Sequence, residues 1–395
     1  MTHSDNLRRI VRQRRAETVE LLCRLVRFPS ITGQEAEIGA FVADYCRRVG
    51  LAVEVVSAQE GRPNVIARWE SGRSGPTLLL NDHLDIVPPG PLELWHSPPF
   101  EPTIVDGHVI GRGTIDTKSG LTTLLAAVSA ARHIDLPIAG RIVMIFTCDE
   151  EQCGRFGMQF LGERGLIEGD VALVAEPTTL GIEIATKGRL GVDITTTGTA
   201  THGARPWLGH NAIDDMAAIL TELQTLARVL DARRHPVMGR ASLNVGRIEG
   251  GDIPNMVPNW CRAGVDRRLL PGETRDSAMA EFNAAIDNAK RVRPGLTATV
   301  EETIWWPGYM LDESEPFIEV AAKAFEKVAG RRPRIGVKDA GTDASWIFNL
   351  ANIPVIMFSP GDGMRAMNAN EGVAIDDMMF ATEVVGQIIV DVLVP

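Results

Sequence analysis

The stretch Leu78-Leu-Leu-Asn-Asp-His83-Leu-Asp85 runs three large apolar residues straight into a histidine set among carboxylates. An apolar run this short, bounded by polar residues, reads as a strand buried on both faces, over Thr77 to Leu80. Buried strands of this kind belong to parallel or mixed sheets, where ligand sites gather outside the carboxyl ends of the strands. His83 and Asp85 lie just there. Residues two apart in an extended segment share a face, so the carboxylate can orient the ring. Taken alone, a histidine and an aspartate at a strand end are more often structural than functional.

Outward from this strand the texture is repetitive. Arg14 to Phe28 and Glu35 to Val49 show helical spacing, and Ala52 to Val56 and Asn64 to Arg68 are short strands. Gly120 to His133 reads as a helix, Arg141 to Thr147 and Val171 to Ala175 as buried strands. The alternation implies an α/β sheet with helices on both faces. From Lys187 the pattern changes to strand–helix–strand–strand–helix–strand: Gly191–Thr197, Asn211–Leu226, Ala241–Ile248, Trp260–Leu269, Ser277–Val292 and Thr297–Thr303. That order fits a two-layer α+β module. A helix over Pro316–Ala329, a strand over Val355–Phe358 and a helix over Asp376–Val392 then resume the first pattern. The expected organisation is one α/β catalytic domain over 1–186 and 300–395, interrupted by an inserted lid over 187–299.

With 395 residues, two domains are expected. A formal net charge of −11 argues against nucleic acid or an anionic membrane as the main partner. The polar, basic stretch from Met1 to Arg15 lacks the apolar core of a signal peptide, and no apolar run approaches the ~20 residues of a membrane span. Cys23, Cys46, Cys148, Cys153 and Cys261 read as reduced thiols of a cytoplasmic protein. Cys148 and Cys153 flank an acidic cluster, but without a CxxC pair they make a poor thiolate site.

Three further clusters fall at strand ends. Gly111-Arg-Gly-Thr-Ile-Asp116 is a glycine-rich loop opening a helix, without the spacing of a phosphate loop. Asp116 is a candidate ligand or a simple helix cap. Asp149-Glu150-Glu151 crowds three carboxylates, which repel one another unless a cation or solvent screens them. Neighbours in such a run can divide the work of base and ligand, though a solvated acidic turn is common. Glu176 ends the Val171–Ala175 strand.

In this order the clusters resemble the acetylornithine deacetylase, succinyl-diaminopimelate desuccinylase and carboxypeptidase G family of metallopeptidases. The resemblance extends through Thr201-His202-Gly-Ala-Arg-Pro-Trp-Leu-Gly-His-Asn211, Gly250-Gly-Asp-Ile-Pro-Asn255, Asp266-Arg-Arg268 and Gly341-Thr-Asp343, nearly the whole chain. It implies a mixed-sheet catalytic domain with an inserted lid and dimerisation domain. By the same resemblance His83, Asp116 and Glu176 bind one divalent ion, and Asp116 bridges to a second held by Glu151. Asp85 orients His83, and Glu150 takes the proton from the attacking water. His202, Asn255 and Arg268 grip the substrate carboxylate and the developing oxyanion, His202 across a dimer interface.

One segment departs from the family. Relatives carry a ligand histidine in a stretch resembling Ala-His-x-x-Asn-Glu, whereas Ala366-Met367-Asn-Ala-Asn-Glu371 stands here, and the last histidine of the chain is His235. A thioether is a soft, weak partner for a hard ion. The expectation is therefore one ion per chain, zinc, manganese or cobalt, with Met367 turned to substrate contact. The expected activity is hydrolysis of a C–N bond in a small carboxylate-bearing substrate, an N-acyl amino acid or short peptide, by a homodimer or higher oligomer. Two alternatives stay open: an aminohydrolase releasing ammonia from an aromatic amino acid such as a nitroanthranilate, with Trp207 and Trp346 near the substrate, and an inactive binding subunit.

Overall fold

The computed structural model describes residues 2–395. The chain forms two compact units. One comprises the chain up to Ala185 with Leu311–Lys338 and Thr342–Pro395; the other comprises Thr186–Met310 with Asp339–Gly341.

The first unit is built on a mixed sheet. Its strands lie in the order Ala52–Ser57, Pro63–Glu70, Arg141–Thr147, Thr77–His83, Val171–Val174, Val355–Met357 and Ile182–Thr186. Ala52–Ser57 and Pro63–Glu70 form an antiparallel pair, while Thr77–His83 runs parallel to both of its neighbours. Leu78 to Leu80 and Ile142 to Phe146 are buried along their whole length, as continuous apolar runs in a covered sheet must be. The helices Ser119–His133 and Pro316–Ala329 both pack against Ile375–Leu393, and Ala36–Arg48 covers the antiparallel pair. His83 pairs with Thr147, and Asn81 with Val174, so three parallel strands end side by side. This register brings the segments bearing His83, Glu150 and Glu176 to one edge.

Several elements lie outside the sequence reading. The polar N-terminal stretch is a helix, His3–Gln13, capped by Thr2 and Asp5, with Leu7, Ile10 and Val11 buried. Arg12 fixes it to the last helix through a two-point ion pair with Glu383, at 2.7 and 2.8 Å. A small sheet of Thr103–Val105, His108–Ile110 and Gly372–Ala374 also forms, and Gly111 N–H donates to Glu371 O at 3.1 Å beside it.

The second unit has an antiparallel sheet in the order Ser242–Gly250, Trp260–Leu269, Gly188–Thr197, Thr297–Trp306. Trp260–Leu269 alternates strictly between buried and half-buried residues, the mark of a sheet covered on one face. Helices Ala212–Ala232 and Arg275–Val292 share a core with it around Met216, Ile219, Leu223, Phe282 and Ile286. Asn211 and Thr274 cap the two helices with side-chain acceptors. The expected return to the catalytic domain at residue 300 falls inside the Thr297–Trp306 strand. That strand pairs with Gly188–Thr197, so the module continues to Met310.

Candidate metal centre

Each candidate ligand is set by its own local structure. His83 is the last residue of its strand, and its Nδ1 lies 2.9 Å from the backbone carbonyl of Asp85. The Asp85 carboxylate is farther away, at 3.6 Å. That carboxylate instead accepts the amides of Glu150 (3.0 Å) and Glu151 (3.2 Å) and the hydroxyl of Thr32 (2.7 Å). Asp85 thus holds the imidazole with its backbone and the acidic turn with its side chain. Asp149 enters that turn in the left-handed region (φ 69°), and its carboxylate is clamped by Arg62 at 2.7 Å. Arg62 is in turn paired with buried Glu35.

The Asp116 loop is equally anchored. Gly113 has φ +80°, and a Cβ there would meet Ile86 Cγ2 at 2.7 Å, so glycine is required. Its amide donates to Glu371 Oε1 at 2.7 Å. Arg112, fully buried, pairs with the same carboxylate and donates to the Met367 carbonyl at 3.1 Å. The ring of Trp95 lies 5.2 Å from its guanidinium carbon.

These elements converge on one buried cluster. His83 Nε2 lies 3.1 Å from Asp116 Oδ1, 3.7 Å from Glu176 Oε1 and 3.9 Å from Glu150 Oε2. His83, Glu150 and Glu176 each offer a ligand atom, all within 4.8 Å of one another. Glu150, expected as the base, therefore stands among the ligand-forming groups. Burial, then repulsion from Glu176, pushes the Glu150 carboxyl well above its usual range. Burial and Asp116 do the same to Glu151. Burial opposes charge on His83, but Glu150, Asp116 and Asp85 together raise it well above an ordinary imidazole. Among the described residues, Glu151 Oε1 and Glu176 Oε1 are buried with no hydrogen-bond partner. Uncompensated buried carboxylates are costly, and a divalent cation answers that cost. Imidazole with carboxylates is a donor set for zinc, manganese or cobalt. The residues fit such an ion.

The remaining expectations sort by position. His202 and Asn255 are exposed neighbours: Gly203 N–H donates to Asn255 O at 2.8 Å, and His202 Nδ1 accepts from Ala204 N–H at 3.0 Å. Arg268 is near the opposite end of the sheet. Trp260 pairs with Thr197 and Arg268 with Arg189, a separation of roughly 26 Å at ~3.3 Å per residue. A single chain therefore does not bring these three side chains together. Arg268 Nε donates to Asp266, which also takes Arg189. Met367 is 49% exposed in the left-handed region (φ 64°), its carbonyl rather than its side chain engaged. Trp346 is a packing residue, its indole donating to Cys153 O at 2.9 Å. All five cysteines are buried, and none is in a disulfide.

Lys338 was invisible to sequence reading. It ends the short strand Ile335–Lys338, donates to Pro177 O at 3.2 Å and lies 3.5 Å from Glu176 Oε2. Asp343, one of the residues carrying the family resemblance, is also buried, and burial pushes its carboxyl up to about 7.

Comparison with known proteins gives the family and the fold. The family model described as peptidase family M20/M25/M40 matches residues 79–391. A succinyl-diaminopimelate desuccinylase of Methylorubrum extorquens is 31% identical over 388 residues, covering 92% of this chain and 96% of the relative. An N-formyl-4-amino-5-aminomethyl-2-methylpyrimidine deformylase of Bacillus subtilis is 25% identical, covering 96% and 95%. An M20 family metallo-carboxypeptidase of Sulfolobus solfataricus has the same fold, with a TM-score of 0.80 at 18% identity over 95% of this chain and 99% of that one.

Proposed function

The chain belongs to the peptidase family M20/M25/M40 and is a hydrolase of C–N bonds, and on that premise we propose that it cleaves the amide of a small carboxylate-bearing substrate, an N-acyl amino acid or short peptide. The observation that carries this reading is the buried His83–Glu150–Glu176 cluster with its unpartnered Glu176 oxygen. The desuccinylase and the deformylase are both named for removing an acyl group, which favours deacylation over ammonia release.

In this reading His83, Asp116 and Glu176 hold one zinc, manganese or cobalt ion. Such an ion lowers the pKa of water and polarises a carbonyl. Glu150 accepts the proton of the attacking water as its oxygen adds to the amide carbon, and returns it to the departing nitrogen. Asp85 holds the turn that aims Glu150. Arg268 pairs with the substrate carboxylate through its two-pronged guanidinium. His202 and Asn255 support the oxyanion in the other active site of a homodimer, joined along the exposed edge strand Ser242–Gly250. The five thiols suit a cytoplasmic enzyme.

Acid release from N-acyl amino acids, set against ammonia release from an arylamine panel, tests the assignment. Turnover of the arylamines alone, or of neither panel, would sink it.

A further inference from the structure

We infer that Lys338 is a resident cation of the centre, engaging one oxygen of Glu176 and setting how tightly the other holds its ion. The inference rests on the reading of His83, Asp116 and Glu176 as the ligands.

The two oxygens of Glu176 face different partners. Oε1 points to His83 at 3.7 Å and has no hydrogen-bond partner, while Oε2 faces the Lys338 ammonium at 3.5 Å. The lysine side chain is 16% exposed, and the Pro177 carbonyl, accepting at 3.2 Å, fixes its head. Its charge also acts on Asp116 and Glu150. One Glu176 oxygen is therefore free for an ion and the other is already engaged.

The centre gathers several buried carboxylates, and the ammonium already answers part of their charge at Glu176. A divalent ion bound to the same carboxylate is repelled by that ammonium, so Lys338 lowers the affinity of the centre for its ion.

The test is metal binding rather than turnover. Chelator-stripped full-length wild type, Lys338→Gln and Lys338→Arg are titrated with Mn²⁺, free ion being read by electron paramagnetic resonance. Lys338→Gln should bind Mn²⁺ at least tenfold more tightly than wild type, and Lys338→Arg no more tightly than wild type. A gain below tenfold in the glutamine variant, or an equal gain in the arginine variant, would overturn the inference. If the glutamine variant does not fold, Lys338→Met is titrated in its place and judged by the same threshold. One lysine-dependent ion in a chain that hydrolyses no N-acyl amino acid would refute the proposed function and leave this inference standing.

Discussion

The Asp85 carboxylate accepts the backbone N–H of Glu150 at 3.0 Å, tying the histidine-bearing strand to the turn that carries the acidic pair. Removing such a support commonly costs 10–100-fold in activity or metal affinity. Asp85→Ala should therefore lower kcat by about that factor. Asp85→Asn keeps one acceptor oxygen and should recover part of the loss. Equal kcat in all three proteins would dismiss the framing role.

Glu150 is both a member of the ligand-forming cluster and the candidate base. Glu150→Gln preserves shape and removes proton acceptance, so kcat should fall by about 10²–10⁴ with one ion still bound. Elemental analysis beside steady-state kinetics separates the two roles. Loss of the ion together with activity would recast Glu150 as a ligand.

Arg112 and Glu371 form a fully buried ion pair, with Gly113 N–H and the Met367 carbonyl as further partners. Breaking such a pair from one side leaves an uncompensated buried charge, at about 3–5 kcal/mol. Arg112→Met should lower unfolding stability by that order in urea titration, and Glu371→Gln by less, because its amide oxygen still accepts from Gly113. A loss under 1 kcal/mol in the arginine variant would contradict the geometry.

His202 and Arg268 lie near opposite ends of one sheet, so a working site would draw them from two subunits. Mixing His202→Ala with Glu150→Gln chains should restore about a quarter of wild-type activity to a population of two inactive proteins, since only the mixed dimer holds one intact site. No recovery after verified subunit exchange would place His202 in its own chain's site or outside catalysis.

Burial pushes the Cys46 thiol up to about 12 from its ordinary value near 9. The folded thiol keeps its proton across that interval while an unfolded one ionises, so this group's contribution to stability declines as pH rises from 9 to 12. At pH 8 the native protein should react with less than one equivalent of a thiol reagent per chain, against five after denaturation. Rapid labelling of the native form would expose an error in the core.

What sequence could foretell follows from the range of the interactions. Leu78 to Leu80 and Ile142 to Phe146 are long enough apolar runs to declare buried strands, and His83, Glu150 and Glu176 follow such runs at their ends. The lid was legible because Trp260–Leu269 alternates and its helices keep an apolar stripe. Ile335–Lys338 was not legible, since four half-exposed residues including a glycine carry no period. Lys338 meets its carboxylate across 162 positions of chain, and nothing local marks that meeting. His3–Gln13 had a readable signal in Thr2 with Asp5 and in the spacing of Leu7, Ile10 and Val11, masked by its many charged neighbours. The two roles of Asp85 could not be separated, because carbonyl and carboxylate belong to the same residue.

At Met367 the chain is held by its carbonyl, which Arg112 grips, while the thioether projects into the open. That loop is held without any contact from the side chain, so residues that accept the left-handed backbone there, histidine and asparagine among them, can be exchanged as an accessory is exchanged on a fixed mount. A lineage could lose or regain an imidazole at this point in a single substitution, so the site's chemistry is freer to drift than the fold that carries it.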